Sequence, residues 1–98
     1  MNNLTRSEIL KTLRDLKPEL ARYKVKEIGL FGSFVREAQT VSSDIDVLVD
    51  FDEDASLFDL VRVGDFLEEK LHRKVDVVPK ESLRQELRDS VLREMVVL

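Results

Sequence analysis

The stretch from Ile28 to Phe51, IGLFGSFVREAQTVSSDIDVLVDF, limits what this chain can become more than any other. A short apolar run (Ile28, Leu30, Phe31) breaks at a Gly-Ser pair, Gly32 and Ser33, and Arg36 follows. After a polar, loop-like interval a second apolar run begins, with two carboxylates, Asp44 and Asp46, set into its start. Both runs read as strands. Alternation along the second puts Ile45, Val47 and Val49 on one face and Asp44, Asp46, Leu48 and Asp50 on the other. One face is therefore core, and the other is acidic at one end.

Asp44 and Asp46 leave the same face of a strand with Cα atoms about 6.5–7 Å apart. Their charges repel, and part-burying them is unfavourable unless a cation offsets them. Oxygen ligands suit a hard divalent ion such as magnesium, and a pair of ions about 3.5–4 Å apart fits side chains spaced this way. Asp76 lies between Val75 and Val77 in a third short apolar run. If that run pairs beside the Asp46 strand, Asp76 completes a three-carboxylate cluster and can take the proton of an attacking hydroxyl. Gly32-Ser33, between a strand and a short helix expected over 33–36, offers backbone N–H groups and a hydroxyl where phosphate can sit. Arg36, a turn later, is within reach of a phosphate oxygen. No Walker loop is present.

The rest of the chain supports this centre. Thr5 and Glu8 have the form of a capping box. Ile9, Leu13, Leu16 and Leu20 then recur at helical spacing, predicting a helix over 5–22 that Pro18 kinks or restarts. Ser56 is expected to cap a second helix with an inward stripe of Leu57, Leu60, Val61, Gly64, Leu67 and Leu71. A strand over 75–78 ends at Pro79. A last helix over 82–94 is expected to turn Leu83, Leu87, Val91 and Leu92 inward. Met95 to Leu98 reads as core or as a short edge strand, or as a partner surface if exposed. The order αβ(α)βαβα predicts an α+β domain spanning 1–98: a small mixed sheet of three strands with helices packed on it.

Composition narrows the function. The 98 residues contain no cysteine, which excludes disulfides and thiolate chemistry. No apolar run is long enough to cross a membrane. MNNLTRSE has no hydrophobic signal core, so a cytoplasmic protein is expected. Residues 44–69 hold ten Asp and Glu against one Arg, whereas residues 1–43 hold five against eight Lys and Arg. An acidic middle is poorly suited to a long nucleic acid, which needs a basic footprint. It suits cations, and a nucleotide that carries its own magnesium.

Each feature alone has a plainer reading. A Gly-Ser turn is common, a D-x-D pair is often a solvated strand edge, Asp76 can be a surface acid, and Arg36 can be a salt-bridge partner. Asp50 lies about 13 Å along the strand from Asp46; it and Asp52 read as surface charge. His72, the one histidine, reads as an exposed helix-end residue. Phe34 reads either as core or as a platform under a base.

In combination, GSFVREAQTVSSDID resembles the G-S-x(10)-D-x-D signature of the DNA polymerase beta-type nucleotidyltransferases. FGSFVR, SDIDVLVDF and RKVDVVPKESL resemble, more narrowly, the minimal nucleotidyltransferase family, over nearly the whole chain. The resemblance implies magnesium-dependent transfer of a nucleoside monophosphate, AMP from ATP, to a hydroxyl. Gly32 and Ser33 would hold the triphosphate, Asp44 and Asp46 both metal ions, and Asp76 one metal and the acceptor hydroxyl. Arg36 matches a frequent family arginine with a phosphate role. Many relatives have Gly after that arginine where this chain has Glu37, a negative charge expected to weaken turnover. Family members of this size commonly accompany a HEPN ribonuclease toxin, implying an antitoxin that adenylylates a tyrosine of that toxin or simply binds it. A non-catalytic binding module and a small metal-sensing or structural domain are the alternatives. Nucleotide preference, acceptor and homo- or hetero-oligomeric state stay open.

Overall fold

A computed structural model describes residues 4–98; residues 1–3, where the stretch read for an export signal begins, lie outside the described residues. Helix α1 spans Arg6–Leu20. The Glu8 N–H donates to Thr5 Oγ1 (3.2 Å) and the Thr5 N–H to Glu8 Oε1 (3.3 Å), closing the expected box. Ile9, Leu13, Leu16 and Leu20 are buried, so the apolar stripe is the packing face. The helix runs on through Pro18 for two residues and closes with a 3-10 turn at Ala21–Tyr23. Pro18 lies in the last turn, where little helix remains to be broken.

Strands β1 (Val25–Phe31), β2 (Ile45–Phe51), β3 (Val75–Pro79) and β4 (Val96–Val97) form a mixed sheet in the order β3-β2-β1-β4. β1 is antiparallel to β2 and β4, and β2 is parallel to β3. The short tail strand makes four strands where the main pattern predicts three. Helix α2 (Leu57–Leu71) crosses between the parallel pair, as a parallel connection requires. Ile28, Leu30, Ile45, Val47, Val49 and Val75 on one sheet face pack with α1 and with Val63, Leu67 and Leu71 of α2. Leu13 and Leu67 are wholly buried; truncating either to Ala should cost about 2–5 kcal/mol.

Two helical faces differ from expectation. In α2 the buried line is Asp59, Val63, Leu67 and Leu71, while Leu57 is 79% and Val61 59% exposed. Asp59 bonds back to Ser56 at the helix start and takes a buried position on this line, and Leu57 and Val61 fall off it. Helix α3 (Gln85–Glu94) buries none of its residues, and Leu87 is 48% exposed. Leu83, Leu87, Val91 and Leu92 are therefore not core. The opposite sheet face has no second helix layer to meet them, and α3 is anchored mainly at its C-terminal end.

Candidate active site

The face of the sheet away from α1 and α2 carries the acids. Asp46 and Asp76 are direct Cα partners in the parallel β2–β3 ladder, so their side chains leave the same face at the same level. Asp44 stands just before β2. The Asp46 carboxyl is pushed up from its ordinary value, first by burial, then by the charges of Asp76 and Asp44, with Arg36 pulling the other way. All four groups thus act on one place.

The Gly-Ser turn meets that place from β1. Phe31 ends β1 opposite Asp46, and Gly32–Phe34 form one 3-10 turn in place of the short helix expected over 33–36. Gly32 adopts φ +81°, open to glycine and costly for other residues. A Cβ there would overlap Asp46 Oδ2. The turn backbone therefore lies against the Asp46 carboxylate, and only glycine permits that approach. With no helix behind the turn there is no helix dipole to hold an anion. The available donors are the turn's own N–H groups, the Ser33 hydroxyl and the Arg36 guanidinium.

Of the residues singled out in the sequence, Gly32, Arg36, Asp44, Asp46 and Asp76 come together, Ser33 follows Gly32 in the turn, and two further residues join them. Glu94 Oε1 accepts from both the Gly32 N–H (3.1 Å) and Arg36 Nη1 (2.8 Å). Arg73 donates to the Ser43 carbonyl (3.1 Å) and the Val41 carbonyl (3.3 Å), and lies over the Phe34 ring at 5.4 Å. It fixes the loop that delivers Asp44. Glu94 stands in no local motif, and Arg73 opens the RKVDVVPKESL run, but only tertiary contact reveals the part either plays. Phe34 is wholly buried and is core, not a platform for a base. His72 is an exposed residue capping α2 at φ +54°. Glu37 has left-handed backbone, φ +57°, and its carboxylate pairs with Arg6 at 3.8 Å, so part of its charge is already answered.

Among the described residues no three His, Asp or Glu side chains are arranged to hold a metal ion as they stand. The donor chemistry nevertheless fits one. Three carboxylates share a place where Asp46 is held back from ionising, and a hard cation with oxygen ligands would offset that excess charge.

A family model of the nucleotidyltransferase domain matches residues 6–98. The chain belongs to the nucleotidyltransferase family. This nucleotidyltransferase is 44% identical over 97 residues to the protein adenylyltransferase MntA of Thermococcus cleftensis, covering 98% of each chain. Its fold matches a solved structure described provisionally as a minimal nucleotidyltransferase, with a TM-score of 0.88, 31% identity and full coverage of both chains. It also resembles a toxin–antitoxin complex from Shewanella oneidensis, a tri-AMPylated HEPN toxin with an MNT antitoxin. There the TM-score is 0.59 and the identity 26%, over 94% of this chain and 66% of that one. The mixed sheet with its helices is thus the minimal nucleotidyltransferase fold. Among the described residues no helix is long and apolar enough to cross a membrane.

Proposed function

We propose that this nucleotidyltransferase transfers AMP from ATP to a hydroxyl of a partner protein, in the cytoplasm, and thereby acts as the antitoxin of a HEPN ribonuclease toxin. The observation that carries the reading is the contact of the Gly32 turn with Asp46, itself the cross-strand partner of Asp76. A phosphate-binding turn and a carboxylate cluster are useful together when a phosphoryl group must be held beside the groups that activate it. The relatives named for protein adenylylation and the AMPylated toxin complex support the same direction.

The Gly32 and Ser33 N–H groups, the Ser33 hydroxyl and Arg36 would bind the triphosphate and fix its orientation. Asp44 and Asp46, with Asp76, would hold two magnesium ions, which when bound neutralise phosphate charge. Asp76, exposed at the edge strand β3, would accept the proton of the incoming hydroxyl. The hydroxyl oxygen then bonds to the α-phosphorus, the α–β bridging bond breaks, and pyrophosphate leaves.

A second reading has one observation behind it. The carboxylate of Glu94 sits on the phosphate donors, as expected of a domain that neutralises its partner by contact alone. Exposed Leu57 and Phe58 on α2 suit a partner surface in either case. The test uses the whole chain with labelled ATP, magnesium and the co-purifying partner, beside the double variant Asp44→Ala/Asp46→Ala. Transfer of label that the double variant abolishes supports the enzyme. Neutralisation that survives the double change, with no label transferred, overturns it in favour of stoichiometric binding.

A further inference from the structure

We propose that Glu94 is an internal competitor for the triphosphate, a carboxylate plug that nucleotide must displace, so that binding releases the end of α3. This rests on the assignment of Gly32 and Arg36 as phosphate-binding groups. One oxygen, Glu94 Oε1, takes hydrogen bonds from both of them, at 3.1 Å and 2.8 Å. A carboxylate oxygen taking an N–H and a guanidinium reproduces how a phosphate oxygen is held. Arg36 is the cation whose charge also acts on Asp46, so the plug sits beside the acids. The Gly32 N–H and this guanidinium nitrogen cannot serve Glu94 and a phosphate oxygen in full at once.

The way α3 is attached makes displacement feasible. The helix buries none of its residues. Its end is seated by Met95, whose side chain fills the space that Gly29 leaves open on β1, and by the two-residue strand β4. Glu94 itself is part-exposed, and its pair with Arg36 is solvent-screened. Helices held by so few buried contacts open locally at low free energy. Glu94 thus links occupancy of the phosphate turn to the freedom of residues 85–97, whose helix buries none of its residues.

Two measurements test this on the whole chain. Titration calorimetry with ATP and magnesium, and separately with inorganic tripolyphosphate, compares the unchanged chain with Glu94→Gln and Glu94→Ala. Loss of the competing charge should tighten both ligands about tenfold, the scale of one charge-assisted hydrogen bond. Hydrogen–deuterium exchange on the unchanged chain needs no substitution, and saturating ATP should raise uptake across residues 85–97. Equal affinities, or weaker binding by Glu94→Gln, together with unchanged or lower uptake, would show that Glu94 only positions Arg36 and would overturn the plug. Failure of every chain to bind either ligand overturns the nucleotide reading, and the plug with it. Binding by the unchanged chain without the Glu94 effect overturns the plug alone.

Discussion

Asp46 and Asp76, thirty positions apart in the chain, are direct partners across the parallel pair β2 and β3. Neighbouring strands lie about 4.8 Å apart, so two carboxylates leave one face side by side, and Asp44 adds a third charge. Folding gains nothing from this arrangement. The Asp46 carboxyl is held above its ordinary value of 3.8 by burial and by its two acidic neighbours, which Arg36 offsets only in part, so the fold carries net repulsion at the place where chemistry is expected.

Asp46→Asn should therefore stabilise the metal-free fold while ending transfer. A carboxyl with a raised folded value penalises the native state progressively as pH climbs from the unfolded value through the folded one. The penalty is absent well below 3.8 and grows as pH rises through the folded value. Melting in chelator at pH 7 should show the variant above the unchanged chain, and the gap should narrow as pH falls towards 3.8. A lower midpoint for the variant would mean that Asp46 is compensated in the native state.

Asp76→Asn separates the third acid from the other two. A group that mainly takes the acceptor proton affects turnover far more than binding of the nucleotide. Transfer should fall by about 10²–10⁴-fold, with the affinity for ATP and magnesium changed much less. Single-turnover label transfer beside calorimetric titration reads both. Parallel loss of rate and affinity would assign Asp76 to binding alone.

Asp59 gives the fold an acid limit. Its carboxylate accepts from the Ser56 N–H (2.9 Å) and hydroxyl (3.3 Å) at the start of α2. The backbone bond, aided by the nearby charges of Lys24 and Arg62, lowers its value below 3.8 against the effect of burial. A folded value below the unfolded one contributes stability that is present above 3.8 and lost as pH falls through the folded value. Thermal midpoints should drop as pH falls below about 4, and the drop should be shallower in Asp59→Asn, which has no charge to lose. Equal slopes would show that other carboxylates set the acid limit.

Much of this architecture is legible in the order of residues, for physical reasons that also mark where reading stops. The 3.6-residue stripe Ile9, Leu13, Leu16, Leu20 reports a single buried face and matches the structure; alternation in Ile45–Phe51 places Ile45, Val47 and Val49 in the core, but Leu48 on the other face is buried as well. The stripe read for α2 goes astray because apolar residues also occupy its outer face: Leu57 and Val61 are exposed. α3 repeats apolar residues at helical spacing without any layer to receive them. At the site, the Asp44–Asp46 spacing is local and visible. The pairing of Asp46 with Asp76 depends on strand order, and the bonds from Gly32 and Arg36 to Glu94 span about sixty residues, so no local pattern encodes them.

Glu37→Gly should stabilise the chain. Glu37 sits at φ +57°, where a side chain costs about 1–2 kcal/mol, against about 0.5–1 kcal/mol for the added freedom of unfolded glycine. The Arg6–Glu37 contact at 3.8 Å is exposed and contributes little. Removing a negative charge next to Arg36 should also lower the KM for ATP modestly. A thermal midpoint that falls would mean that the Arg6 pair outweighs the backbone cost.

Gly32→Ala tests the contact on which the site depends. At φ +81° an alanine costs about 1–2 kcal/mol in backbone strain, and its Cβ cannot coexist with Asp46 Oδ2 in its present position. The neighbouring carboxylate atoms offer no easy retreat, because Asp46 Cγ and Cβ would stand at 3.1 and 3.2 Å. The variant should lose about 2 kcal/mol of stability, within what a domain of this size tolerates. It should remain folded by circular dichroism and lose transfer entirely, because Asp46 is pushed out of line. Ser33→Ala leaves the backbone alone and removes one hydroxyl, so ATP should weaken only about three- to tenfold. A folded Gly32→Ala that transfers label at the normal rate would show that the close approach of turn and carboxylate is packing, and that the phosphate is held elsewhere.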